Sequence, residues 1–305
     1  MTPLVSVIVP NYNHAAFLKQ RIDSILNQSF QDFELILLDD CSTDNSREIL
    51  SSYKENPHVS HFICNKTNSG SPFAQWNKGI ELAQGEWVWI AESDDWAYPD
   101  FLEVTMRQSV LHPNCGIIYT LAHFVYEGQS DWTPPHTGEI HEYNGVEFNK
   151  DKLLFDNVIY NVSMTIIKRA LFCNVNFEMS SQMHRCGDWL LYSQIANYTN
   201  VLSIDEPHSY FRRHHSSTSS SFMQNTTGFQ EEMMVTRFIA NMYHIPQSKY
   251  AKIKGKEWAK AQGRYHYNPK EEWQLIKNEL RIGHYLVVLF FLAYCLKYKC
   301  QELQS

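Results

Sequence analysis

Trp87-Val88-Trp89-Ile90-Ala91-Glu92-Ser93-Asp94-Asp95-Trp96 is an apolar run that ends in a cluster of carboxylates. Four bulky residues in succession suit a strand buried on both faces, as in a parallel sheet. Such a strand delivers the acidic loop to its carboxyl end, the edge at which open α/β sheets bind ligands. Adjacent aspartates repel one another, so the arrangement is costly unless a cation sits between them and a partner. A hard divalent ion with phosphate oxygens as co-ligands meets that need. A helix N-cap ahead of Pro99-Asp100-Phe101 is the competing reading of the same residues.

Outward from this loop the same grammar repeats. Leu4-Val5-Ser6-Val7-Ile8-Val9 is a β-branched run bounded by Pro10, Asn11 and Asn13, which predicts a first strand. Phe17, Leu18, Ile22, Ile25 and Leu26 recur at helical spacing over 15–28. Phe33 to Leu38 predicts a second strand, again ending in paired acids, Asp39-Asp40, with a helix to about 55. A third strand over 59–64, a helix over 73–83 and a fourth strand over 86–91 complete the alternation. That alternation predicts a doubly wound, mostly parallel sheet. Further on, the pattern predicts a helix over 99–111, a strand over 116–121 and a polar excursion over the site at 127–144. A strand over 162–167 follows, then a helix opened by Arg185-Cys186-Gly187-Asp188-Trp189, and two short strands at 201–204 and 209–212. A mobile polar segment over 213–221 comes next, and from about 226 onward only helices are expected.

Composition narrows the class. The chain has 305 residues and a formal charge of −7, which argues against a nucleic-acid binder because phosphate backbones need a basic face. Its length suggests about two structural units. Seven scattered cysteines without a C-x-x-C pair indicate reduced thiols rather than a zinc site or a disulfide framework. The apolar N-terminal run is too short for a signal peptide. No G-x-G-x-x-G follows the first strand and no G-x-x-x-x-G-K-[ST] occurs, which excludes the usual dinucleotide and P-loop sites. Ile282 to Leu296 is apolar on nearly every side with Arg281, Lys297 and Lys299 as flanks. It falls short of the ~20 residues that span a bilayer, so it either packs on the domain or lies in a membrane interface. The expected location is the cytoplasm, free or peripheral on the inner face of the membrane.

Five motifs in order carry a likeness. Val5-Ser6-Val7-Ile8-Val9-Pro10-Asn11-Tyr12-Asn13, Glu34 to Asp44 with its Asp39-Asp40-Cys41-Ser42-Thr43-Asp44 ending, and Ser93-Asp94-Asp95 resemble the family-2 glycosyltransferases. Gly187-Asp188-Trp189 and Phe211-Arg212-Arg213-His214-His215-Ser216-Ser217-Thr218-Ser219 are similar to that family's later motifs. The likeness covers about residues 4–220. It implies the GT-A fold, a Rossmann-like doubly wound sheet, with a UDP-sugar donor, Mn²⁺ or Mg²⁺, and inversion at the anomeric carbon. It also implies a saccharide acceptor, lipid-linked in the case of a bacterial surface polysaccharide. On this reading 1–125 is the nucleotide-sugar-binding half, 126–222 the acceptor-binding half and 223–305 a C-terminal helical extension.

Carried over position by position, the resemblance places Pro10, Tyr12 and Asn13 along the donor nucleotide. Asp40 accepts a hydrogen bond from uracil N3, and Asp39 braces the loop. Asn77 and Gly79 fall on the base-side helix, where Gln75-Trp76-Asn77 departs from the Ala-Arg-Asn of many relatives. Asp94 binds ribose, Asp95 holds the metal, and Glu92 stands where many relatives have Asp. Arg212 and His214 reach the diphosphate or the metal.

Departure of a nucleoside diphosphate leaves negative charge that a bridging cation stabilises. The acceptor hydroxyl must lose its proton as it attacks, and a carboxylate such as Asp188 serves as general base. A helix N-cap is the alternative role for Asp188. Trp96, Trp132 and Trp189 are candidates for a sugar-stacking platform. Two rival functions stay open on the sequence: a catalytically silent sugar- or nucleotide-binding module, and a nucleotidyltransferase. A zinc site from His208, His214 and His215 is a further alternative.

Overall fold

Every residue of the first strand, β1 (Val5–Asn11), is buried, including Ser6, whose hydroxyl donates to Glu34 at 2.6 Å. The computed structural model describes residues 2–214, 227–261, 269–281 and 284–302. Helix α1 (Ala15–Leu26) returns the chain to β2 (Phe33–Asp39), and α2 (Ser46–Ser52) leads to β3 (Val59–Cys64). Helix α3 (Pro72–Leu82) then feeds β4 (Trp87–Ile90), and β1 to β4 are mutually parallel. Ile8 of β1 lies across from Ile36 on one side and Ile90 on the other, so apolar side chains form a continuous layer.

The second half of the chain extends the same sheet. β5 (Trp96–Ala97), α4 (Phe101–Leu111), β6 (Cys115–Tyr126) and β7 (Ile140–Tyr143) follow in order. Next come α5 (Gly145–Phe148), a π turn over Asn149–Leu153, a 3₁₀ turn over Val162–Met164 and β8 (Thr165–Lys168). A second 3₁₀ segment (Arg169–Asn174), α6 (Phe177–Ser181), α7 (Gly187–Ala196) and β9 (Asn200–Arg213) complete this part. The strand order is β3-β2-β1-β4-β8-β6-β9-β5, with β7 also paired to β9. β8, β5 and β7 run antiparallel to their neighbours, and the remaining strands are parallel. Alternate residues feed two cores. Val5, Val7 and Val9 pack with α1 and α4 on one face, while Ile8, Ile36 and Leu38 face α3 and α7 on the other.

Three expectations change. The strands expected at 201–204 and 209–212 are one strand, β9, whose register shifts around Pro207 absorb a residue that cannot donate to the ladder. The strand expected from Val162 begins only at Thr165, because Asn161 accepts a bond from Ser163 N–H at 2.7 Å and winds one tight turn first. The 127–144 excursion does not cover the site. Trp132 bridges to Phe124 and residues 140–143 pair with β9 along the sheet edge.

Four helices close the described chain: α8 (Thr227–Met242), α9 (Gln247–Ala261), α10 (Pro269–Arg281) and α11 (Tyr285–Glu302). Phe229, Met233, Val235 and Ile239 of α8 join the core that contains α7. Of the two readings left open for 282–296, packing on the domain holds for one face of α11, where Val287, Val288 and Phe291 are buried. No helix among the described residues is long and apolar enough to cross a membrane. The polar segment expected to be mobile falls mostly on residues 215–221, outside the described residues, as does His215.

Candidate active site

A cleft of about 370 Å³ opens at the carboxyl ends of β1 and β4, within the size range of small-molecule sites. After β4 the backbone turns, with Ala91 N–H bonded to Ile8 O at 2.8 Å and Asp95 N–H to Glu92 O at 3.2 Å. A turn aims neighbouring side chains in different directions. Asp94 therefore lines the cleft, while Asp95 points inward at 1% exposure. One Asp95 oxygen accepts the Arg212 backbone N–H at 3.0 Å and the other accepts Asn161 Nδ2 at 2.8 Å. The Asp95 carboxylate, expected to hold a metal, is hydrogen-bonded inside the protein, and it is Asp94 that faces the cleft.

Asp94 has two imidazoles beside it. One ligand atom each from His14, Asp94 and His214 lies within 4.8 Å of the others. His214 Nε2 is 3.0 Å from Asp94 Oδ2, and His14 Nδ1 is 2.8 Å from Ser93 Oγ. Burial pushes the Asp94 carboxyl up, but the His214 hydrogen bond and the nearby imidazoles outweigh it and hold the group below its ordinary range. Burial also lowers His14, against the pull of Asp94, which favours the neutral ring that can donate a lone pair. Two nitrogens and a carboxylate oxygen at this spacing fit a divalent cation. Of the alternative zinc trio, His208 is bonded to Asp100 at 3.0 Å and stands outside the His14–Asp94–His214 group, while His215 lies outside the described residues.

Arg212, expected to reach the diphosphate or the metal, is also bonded within the protein. Its Nε donates to Asp94 O at 2.8 Å, its terminal nitrogen to Gln20 Oε1 at 2.7 Å, and its guanidinium lies 4.6 Å from the Phe17 ring centre and 4.5 Å from that of Trp96. Held this way it braces the acidic loop and does not line the cleft; Arg213 does.

Asp188 lies at the start of α7 on the cleft wall. Burial pushes its carboxyl up to about 7, against the Trp189 N–H, Arg185 and Asn157. A carboxylate that titrates near neutrality suits proton abstraction at physiological pH. The start of α7 is fixed from two sides. Gly187 packs under Phe73, where a Cβ would come 2.3 Å from the ring, so only glycine fits without a shift. From α8, Glu231 accepts the backbone N–H groups of His184 at 2.8 Å, Arg185 at 2.8 Å and Cys186 at 3.0 Å. Sequence reasoning misses Glu231, since nothing local marks a partner some 45 residues away.

At the ends of β1 and β2 the polar residues clamp one another. Asn11 Nδ2 donates to Asp39 at 3.0 Å, and Asp39 also accepts from Ser42 N–H and Arg47 Nε, so it braces the loop as expected. Asn13, at φ 57°, accepts from Thr43 N–H at 2.8 Å and ties the two loops together. Asp40 receives Asn65 at 2.6 Å, Gln75 at 2.9 Å and both the N–H and hydroxyl of Ser69. Its acceptor capacity is therefore taken up by the protein. Pro10 is buried within β1, Asn77 donates to Glu81 at 2.9 Å, and neither lines the cleft. Tyr12 is 46% exposed just past the strand end and likewise does not line the cleft.

Two charged residues under the loop matter more than the sequence suggests. Glu92 is pushed up to about 8 by burial and by Asp94, and it accepts Trp76 Nε1 at 2.7 Å. Arg21 is fully buried 5.0 Å from the Trp89 ring centre. Burial holds it down to about 10 against the pull of Asp95, Asp94 and Glu92. Its signal was present in the sequence: a cation in the apolar stripe between Leu18 and Ile25 requires buried negative charge.

Residues 6–174 match the family Glycosyl transferase family 2. The chain belongs to that family. GlyG of Streptococcus pneumoniae serotype 4 is a glycosyltransferase 30% identical over 234 residues, covering 70% of this chain and 72% of that one. TuaG of Bacillus subtilis strain 168, named for teichuronic acid biosynthesis, is 38% identical over 118 residues, 39% of this chain. That match takes in 46% of TuaG, so the aligned part spans about half its length. Among solved structures, S. aureus TarS residues 1–349 with UDP-GlcNAc superposes with a TM-score of 0.63 at 22% identity, covering 82% of this chain and 70% of that one. The fold is accordingly GT-A.

Proposed function

We propose that this family-2 glycosyltransferase moves one sugar from a UDP-sugar to a saccharide hydroxyl with inversion, in the synthesis of a cell-surface polysaccharide. The observation that carries the reading is that one cleft is lined both by His14 and Asp94 of the three-residue cation cluster and by Asp188, a carboxylate poised to titrate near 7. UDP as the nucleotide, and a polysaccharide product, are supported by the UDP-GlcNAc complex of TarS and by the naming of TuaG.

His14, Asp94 and His214 would hold the divalent ion, and the imidazole pair argues for manganese over magnesium. When bound, such an ion stabilises the negative charge that develops on the departing diphosphate. Asp94 stays ionised across the physiological range, so the cluster keeps its charge. Asp95 and Arg212 hold the loop in place by hydrogen bonds, and Arg21 sets a buried positive charge beneath it. Asp188 takes the acceptor proton as the hydroxyl attacks, and a single base suffices because no covalent sugar intermediate forms. Tyr160, 44% exposed on the cleft wall, offers a ring face to the acceptor sugar. Trp96 and Trp189 are less suited to that role, one stacked on Tyr210 and the other 2% exposed.

The test is UDP release across common UDP-sugars with saccharide acceptors, with and without Mn²⁺, followed by the anomeric configuration of the product by NMR. Metal-dependent release with an inverted product is the expected result. Retention of configuration, or release indifferent to Mn²⁺ after chelation, would overturn the corresponding part of the proposal.

A further inference from the structure

Helix α11 is apolar on both sides, yet among the described residues only one side is covered. Val287, Val288 and Phe291 are buried against α9, with Phe291 stacked on Trp258 at 4.2 Å between ring centres. The crossing is close because α9 carries Gly255, where a Cβ would come 2.5 Å from Phe290. The opposite face presents Tyr285, Leu286, Leu289, Leu292, Ala293 and Leu296, with Leu289 at 60% and Leu296 at 67% exposure. Those positions fall within one arc of a 3.6-residue helix, and none of them carries a charge. A helix that borders water normally turns a polar face outward.

Charge is divided along the chain in a way that points to the occupant. Residues 247–305 hold eleven Lys and Arg against five Asp and Glu, a net +6, whereas residues 1–246 carry −13. Lys252, Lys256 and Lys260 recur every four residues on the exposed side of α9, beside the Gly255 crossing. On α10, Trp273 is 57% exposed, Lys277 Nζ lies 5.7 Å from its ring centre, and Arg281 is exposed one turn on. Exposed leucines with an outlying tryptophan and a surplus of lysines are the chemistry of the boundary between headgroups and acyl chains. The exposed row, Tyr285 to Leu296, is about 18 Å long, short of the ~30 Å hydrocarbon thickness, so it suits lying in that boundary rather than crossing it. A second copy would set two positive units against each other, which disfavours self-association.

We propose that the exposed face of α11, with the lysines of α9, docks this enzyme on an anionic lipid surface. The proposal stands apart from the transfer reaction, since adsorption requires neither metal nor donor. It is tested by co-sedimentation of the full chain with phosphatidylcholine vesicles and with vesicles containing about one-third phosphatidylglycerol. The protein should pellet with the anionic vesicles, release as salt rises, and stay in the supernatant with the neutral ones. Leu289→Glu with Leu292→Glu should weaken binding at least about tenfold, because each removes apolar contact and adds repulsion. Lys252→Glu with Lys256→Glu should act in the same direction. Unchanged circular dichroism and UDP release keep both pairs interpretable as surface changes. Equal binding to neutral and anionic vesicles, absence of binding to either, or leucine variants that bind like wild type would each overturn the proposal. So would a dimer in light scattering that the leucine variants dissociate, which would assign the face to a second copy.

Discussion

The two strands that flank β1 lead into the same dipeptide, Asp39-Asp40 at the end of β2 and Asp94-Asp95 after β4, and the two pairs meet different fates. After β2, both carboxylates are saturated by the protein: Asn11, Ser42 and Arg47 on one, Asn65, Ser69 and Gln75 on the other. After β4 the pair is split. Asp95 is buried, and burial together with Asp94 pushes it up to about 7, while Asp94 faces a cleft between two histidines. Paired acids at a strand end are thus either a clamp or a site. What distinguishes them is whether the surrounding loops supply enough donors to quench the charge.

The comparison can be broken outright by substituting both sides. Asp94→Ala is expected to abolish Mn²⁺-dependent UDP binding in calorimetry, whereas Asp40→Ala should leave the cation cluster intact. Asp40→Ala should instead lower stability by about 1–3 kcal/mol in denaturant unfolding, because it strands several buried donors. Loss of metal dependence in the Asp40 variant, with Asp94→Ala unaffected, would reverse the assignment.

Asp188→Asn carries the next effect. Transfer should fall about 10²–10⁴-fold with UDP binding retained, as expected for loss of a general base. In the wild-type enzyme kcat should rise with pH through about 7, where Asp188 loses its proton, and level off above it. Stability gives a second reading with a defined sign. The folded-state value of Asp188 is raised, so the native protein binds more protons than the unfolded chain between about pH 4 and 7. Asp188→Asn should therefore stabilise the protein by about 1–3 kcal/mol above pH 7, fading as pH falls towards 4. Thermal unfolding at several pH values measures the difference.

Glu231→Gln sharpens the contrast between chemistry and scaffold. An amide nitrogen would face at least one of the three N–H groups that Glu231 now accepts. A drop of about tenfold in kcat with little change in donor KM is expected if the start of α7 positions Asp188. Equal effects on both constants would point to general unfolding instead. The smallest effect expected is that of Tyr160→Ala, a few-fold rise in acceptor KM of about 1 kcal/mol, with donor KM unchanged. Steady-state kinetics with each substrate varied in turn resolves it.

Periodicity made the alternating strands and helices of 4–111 legible in the sequence, because β1, β2 and β4 are mostly apolar runs and α1 shows a helical stripe. The order of five short motifs pointed to the family, and the acidic loop after β4 to the cleft. Reading failed where a residue's role depends on direction or on distant partners. Asp94 and Asp95 are chemically identical on paper, and only the turn after Ile90 decides which faces outward. Arg212 and Asn77 read as ligand contacts until Asp94 O, Gln20 and Glu81 are seen to claim them.

The sequence by itself determined the layered α/β architecture, the placement of carboxylates at strand ends and the family, since these follow from local periodicity and short contiguous motifs. Tertiary structure alone decided that His14 and His214 meet at Asp94, that Glu231 anchors the start of α7, and which face of α11 is buried against α9. Hydrogen bonds and burial are set by groups far apart in the chain, and no local pattern encodes them.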